Sequence, residues 1–95
     1  MSVESELVRK LHKLCAENNL LYLNIKDKNL NGFPDALVVN RDGKHHWLEL
    51  QREDHKGRVS DIQNYRHAEM KGYKMNVYIV DSIDKIKEIL LHGNK

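Results

Sequence analysis

The sequence predicts an α/β fold with the element order αβββαβα, in which helices cover one mixed four-stranded sheet. Three observations carry this. The N-terminal residues repeat apolar side chains at helical spacing. Two strand-like runs, 35–40 and 44–51, flank Arg41-Asp42-Gly43, a hairpin signal. The strand–helix–strand passage from 44 to 80 requires a parallel pair joined by a right-handed crossover, while the first three strands can form an antiparallel meander.

Each element has its own warrant. Val3, Leu7, Leu11 and Leu14 recur at spacings of four and three with charges between them, so 3–18 reads as an amphipathic helix ended by Asn18-Asn19. Leu20 to Lys26 suits a strand, and the turn formers of DKNLNGFP make the loop that follows. After the hairpin and a charged loop (REDHKGRV), Ser60 with Gln63 three residues on forms a capping box, so a helix begins there. It runs to about Lys71, and Gly72 is placed for a left-handed cap. Lys74 to Val80 is a strand. Asp81 or Ser82 caps a last helix carrying Ile83, Ile86 and Leu90 on one face, with Gly93 past its end.

The chain of 95 residues is long enough for one core with little surplus, and without repeats, linkers or low-complexity tracts 1–95 reads as a single domain. A formal charge of +2 permits nucleic-acid binding without demanding it. The lone Cys15 has no internal disulfide partner, which fits a reducing cytoplasm and a structural thiol. No apolar run approaches a membrane span, and the N-terminus, with Glu4 and Glu6, does not resemble a signal peptide. A soluble, intracellular protein is expected.

The acids are where chemistry enters. Alternation puts Glu49 and Gln51 on one face of their strand, opposite Leu48 and Leu50. Whether Asp35 joins them depends on register. A two-residue loop at Asp42-Gly43 pairs Asp35 with Leu50 and separates the acids. A three-residue loop, Arg41-Asp42-Gly43, pairs Asn40 with Lys44 and therefore Asp35 with Glu49, and Gly43 supplies the left-handed residue that this loop needs. Two carboxylates meeting across strands repel unless a cation lies between them, and a hard divalent ion, Mg²⁺ or Mn²⁺, suits oxygen ligands. Such an ion polarises a phosphoryl oxygen and lowers the pKa of a bound water. Pro34 fixes the approach to Asp35, and Gly32 leaves room for a substrate backbone to come close.

Glu4-Ser5-Glu6-Leu7 on the first helix, Gly32-Phe33-Pro34-Asp35, Glu49-Leu50-Gln51, Ser60-x-x-Gln63 and Gly72 before a strand occur in that order over nearly the whole chain. Together they resemble the PD-(D/E)XK nuclease superfamily, specifically its VRR-NUC (virus-type replication-repair nuclease) branch. The resemblance implies a restriction-endonuclease-like core and a metal-dependent endonuclease acting on DNA. Small stand-alone members of the branch are similar to viral enzymes that act as homodimers on branched DNA, including four-way (Holliday) junctions, so a phage or prophage origin fits. By that analogy Asp35, Glu49 and the backbone carbonyl of Leu50 ligate the metal, and Glu4 completes the site, with Glu6 the weaker alternative.

The departure is Gln51, which stands where the family has lysine. A neutral amide can hold a water or donate to a phosphate oxygen, but it brings no positive charge. Lys26, expected level with Asp35, is one source of that charge, and Arg52, Lys56 and Arg58 of the following loop are others, besides being candidate DNA-backbone contacts. Gln63 is expected to support Gln51. The alternative is a DNA-binding module of nuclease fold whose catalysis is weak or lost with the lysine. His45 and His46 point to opposite faces and cannot chelate one metal together; a zinc site would need His55 as well. Trp47 shares the face of Glu49 as core packing or a base-stacking surface, and Tyr65 is expected in the core or at a dimer contact.

Overall fold

The computed structural model describes residues 3–25, 32–51 and 61–92. Helix α1 (Val3–Glu17) is followed by strands β1 (Leu21–Asn24), β2 (Ala36–Val39) and β3 (His45–Leu50), helix α2 (Asp61–Gly72), strand β4 (Val77–Val80) and helix α3 (Ile83–Lys87), which continues as a π-helical turn over Glu88–His92. The sheet order is β1-β2-β3-β4, with β1, β2 and β3 antiparallel and β4 parallel to β3. This is the expected mixed sheet.

Strand alternation divides the sheet into two unlike faces. Ala36, Val38, Leu48, Leu50 and Val80 lie on one and pack with Leu7, Leu11, Leu14 and Cys15 of α1 and with Ile86 and Leu90, forming the main core. Burial there pushes the Cys15 thiol up to about 11, so it stays protonated and structural. His46 is buried on this same face, whereas its neighbour His45 is exposed, as alternation requires. The other face carries Leu37, Trp47, Glu49 and Val77 and receives α2, which buries His67 and Met70.

The hairpin takes the three-residue form. Asn40 N–H donates to the Lys44 carbonyl and Gly43 N–H donates to the Asn40 carbonyl, both at 2.9 Å, and Gly43 has φ +88°. Asp42 Oδ1 accepts from Lys44 N–H at 3.1 Å and pins the turn. The pairing Ala36–Leu48 through Val39–His45 follows directly.

Helix ends depart from expectation at one point. In α1 the left-handed position is Asn19 (φ 56°), beyond Asn18, and Leu20 N–H closes on the Cys15 carbonyl at 3.0 Å. In α2 it is not Gly72, which belongs to the helix, but Lys74 (φ 66°): Lys74 N–H donates to Lys71 and Met75 N–H to Met70. The reason lies in packing. Met70 is buried and anchors the last turn, so the chain reverses at the fourth residue beyond it. At α3, Ser82 rather than Asp81 is the cap, accepting from Lys85 N–H at 3.3 Å, while Asp81 pairs with the Lys85 ammonium at 2.9 Å.

Candidate active site

Carried one step further, the β2–β3 register sets Asp35 across from Glu49 on the α2 face. Two bonds hold Asp35 there. Its carbonyl accepts from Ile25 N–H at 2.8 Å, and its Oδ2 accepts from Leu50 N–H at 2.9 Å. The residue opposite Leu50 is Pro34. Opposite Leu50 a regular ladder would place the N–H and C=O of residue 34, but proline has no N–H. The ladder therefore supplies no donor to the Leu50 carbonyl, and the Asp35 carboxylate takes the Leu50 N–H. With the two carboxylates, that backbone oxygen would make an all-oxygen set, which suits a hard divalent cation.

Glu49 is almost fully buried, 3% exposed, an unusual place for a carboxylate unless it is held. Helix α2 holds it. Gln63 Nε2 donates to Glu49 Oε2 at 2.7 Å, and one helical turn later His67 Nε2 stands 3.5 Å from Glu49 Oε1. Gln63 thus supports Glu49 directly, where the sequence suggested support of Gln51. Burial lowers the His67 pKa, Lys71 lowers it further and Asp35 acts in the opposite sense, so the imidazole is neutral at pH 7. His67 is the residue that sequence reading missed. Its signal was the spacing Gln63, His67, Met70, one helical stripe whose first two members are polar just where it passes the acids.

Gly32 also serves another partner than expected. Its φ is +87°, and a Cβ built there would lie 2.8 Å from Ile62 Cγ1 and 2.9 Å from both the Ile62 carbonyl oxygen and Arg66 Cγ. What comes close to Gly32 is therefore α2. The Arg66 guanidinium lies 5.2 Å from the Phe33 ring centre and 5.6 Å from that of Tyr65, and it pairs with Glu69 at 3.1 Å. Tyr65 is 60% exposed, so of the two places expected for it, the core or a dimer contact, the core is excluded. Trp47 is half-buried.

Gln51 closes β3 with its N–H donating to the Val80 carbonyl at 2.8 Å, and alternation puts its side chain on the face of Glu49. The side chains of Glu4 and Ser5, and Lys26, Arg52, His55, Lys56, Arg58, Ser60 and Gly93, lie outside the described residues. Glu6 is exposed. Among the described residues no three His, Cys, Asp or Glu side chains gather around one point, so the carboxylate pair, Gln63, His67 and the Leu50 carbonyl are what the structure brings together.

Comparison with protein-family models and with characterised proteins finds no match for this sequence. Its backbone does have a counterpart among solved structures, a protein described as a VRR_NUC domain. The two superpose with a TM-score of 0.83 over 97% of this chain and 98% of the other, at 17% sequence identity. Agreement of that extent, with so few identical residues, rests on topology rather than on shared side chains. The chain has the fold of a VRR_NUC domain.

Proposed function

We propose that the protein is a metal-dependent endonuclease that hydrolyses phosphodiester bonds in branched DNA, four-way junctions among them, as a homodimer. The observation that supports this best is the Asp35–Glu49 pair, placed by a three-residue hairpin loop next to the Leu50 carbonyl. Two acids facing each other on a half-buried sheet surface destabilise a fold unless they have a use. Asp35, Glu49 and the Leu50 carbonyl would hold Mg²⁺ or Mn²⁺, with Glu4 joining from α1. Bound there, the ion supplies Lewis acidity toward a phosphoryl oxygen and a water of lowered pKa. The chain's own residues do the rest. Gln63 orients Glu49, Gln51 holds a water or a phosphate oxygen through its amide, and Arg52, Lys56, Arg58 and Lys26 offer positive charge to the DNA backbone.

The test is cleavage of labelled four-way junction, flap and duplex DNA in Mg²⁺, Mn²⁺ or EDTA. Cleavage should require a metal and disappear in Asp35→Asn and Glu49→Gln, which remove ligand charge but keep shape. Binding in EDTA should survive, since phosphate contacts come from Lys and Arg. Equal cutting by both variants and the parent would refute the assignment. Gln51 favours a second reading, a DNA-binding module of the same fold, which the same assay would reveal as metal-independent binding without cleavage.

A further inference from the structure

The hairpin turn and the reversal after α2 meet at the start of β3 and border an open cleft of about 440 Å³. That volume lies within the roughly 300–1,000 Å³ of small-molecule sites. Trp47 and Met75 give the cleft apolar surface, and Lys44, His45, Lys74 and Asn76 supply its polar groups. Its two sides are tied together, since Trp47 N–H donates to the Asn76 carbonyl at 2.8 Å and Asn76 Nδ2 donates to the His45 carbonyl at 3.0 Å. Among the described residues no acid lines it, and neither lysine is paired with a carboxylate. Lys74 carries a second sign. Its φ of 66° is a left-handed conformation that glycine takes freely and lysine does not. Among the described residues the other non-glycine with positive φ is Asn19, a residue type that tolerates it. Backbone strain of this kind persists where it serves a site, and here it sets a cation in the wall of the cleft.

We propose that this cleft binds an unpaired nucleotide, with the base against the Trp47 indole and the phosphate between Lys44 and Lys74. Each part of the lining answers one part of that ligand. An indole stacks on any base, and two ammonium groups suit a phosphate ester. Phosphate alone would leave the apolar wall unused, and an apolar ligand would cover two cations without pairing them. The cleft lies at the start of β3 and the acid pair toward its end, so binding here needs neither metal nor cleavage. On the reading of branched DNA as substrate, the nucleotide belongs to a single-stranded portion of it; a free nucleotide offers the same chemistry.

Trp47 is the chain's only tryptophan, so its emission reports on this cleft. In EDTA, a short single-stranded oligodeoxynucleotide or a deoxynucleoside monophosphate should quench it. Inorganic phosphate should not, nor should a blunt duplex, whose bases are already paired and stacked. Whichever of the first two quenches at lower concentration identifies the source of the nucleotide. Lys74→Gly removes the cation and relieves the strain, so the variant should stay folded, which a thermal melt checks. It should weaken the binding and, for the oligonucleotide, flatten the slope of log affinity against log salt by about 0.7, the loss of one phosphate contact. Quenching by neither ligand, equal quenching by blunt duplex, or unchanged affinity in Lys74→Gly would each overturn the proposal. None of these bears on the acid pair, which metal-dependent cleavage reads separately.

Discussion

In the proposed site Gln51 is the third residue beside the acids, and a side chain there has two tasks that a glutamine can only share. It can hold a water through its carbonyl oxygen or a phosphate through its amide hydrogens, but it leaves charge uncompensated. If it orients the attacking water, Gln51→Ala should cost roughly 2.7–4 kcal/mol of transition-state stabilisation, about a hundred- to a thousand-fold in rate. Gln51→Lys should keep activity or raise it. Single-turnover cleavage of a junction reads both, and an alanine variant as fast as the parent would move that task to Lys26 or a loop arginine. The acids at this scale were legible because alternation and turn chemistry are local rules. His67 was not. A histidine in a weakly amphipathic helix reads as surface, and only the docking of α2 onto the sheet turns it toward Glu49.

At the scale of elements, α2 and the Gly32–Asp35 segment form one unit, locked where Gly32 meets Ile62 and Arg66. Gly32→Ala combines a left-handed backbone with a clash against a carbonyl oxygen and should destabilise the fold by about 3 kcal/mol. Gly43→Ala has the same backbone strain but open space around it, so about 1 kcal/mol is expected. Chemical denaturation of the two variants checks the difference; equal losses would show that the close approach at Gly32 carries no weight. The end of α2 offers a gain instead. Lys74 occupies a left-handed position that glycine takes at little cost, so Lys74→Gly should add about 1 kcal/mol and raise Tm by roughly 4–8 °C. Sequence pointed to Gly72 for this reversal, because a glycine near a helix end is the usual signal. The burial of Met70, which set the true end, depends on the sheet beneath it and cannot be read locally.

For the whole molecule, the order of elements was legible throughout, since every helix and strand is marked by periodicity or by a cap. What no local pattern gave was the difference between the two sheet faces. One is sealed by α1 and α3, whereas on the α2 face Leu21, Leu23 and Ile79 remain 56%, 40% and 48% exposed. Apolar surface of this kind on a small protein is consistent with the proposed self-association. A two-fold dimer would present two sites to the two symmetry-related strands of a junction. Sedimentation equilibrium at micromolar concentration, with and without junction DNA, should give twice the chain mass; a monomer under both conditions would count heavily against junction resolution.

The three-residue turn at Arg41–Gly43 has a consequence for how this chain can change over generations. Along β3 the even positions His46, Leu48 and Leu50 belong to the core, and the odd positions Trp47, Glu49 and Gln51 belong to the site. The turn sets which parity faces which way relative to β2. Within the turn, one residue more or one fewer can be absorbed as a four-residue or a two-residue loop with the Asn40–Lys44 pairing kept. A residue lost from β3 between the turn and Glu49 cannot be absorbed in this way and shifts the ladder beyond it by one step. Asp35 would then stand opposite Leu50, and core and site would trade places along one strand. Lineages carrying this site should therefore tolerate changes of length at the turn and be purged of those in the strand beyond it, an asymmetry dictated by the alternation of a β-strand.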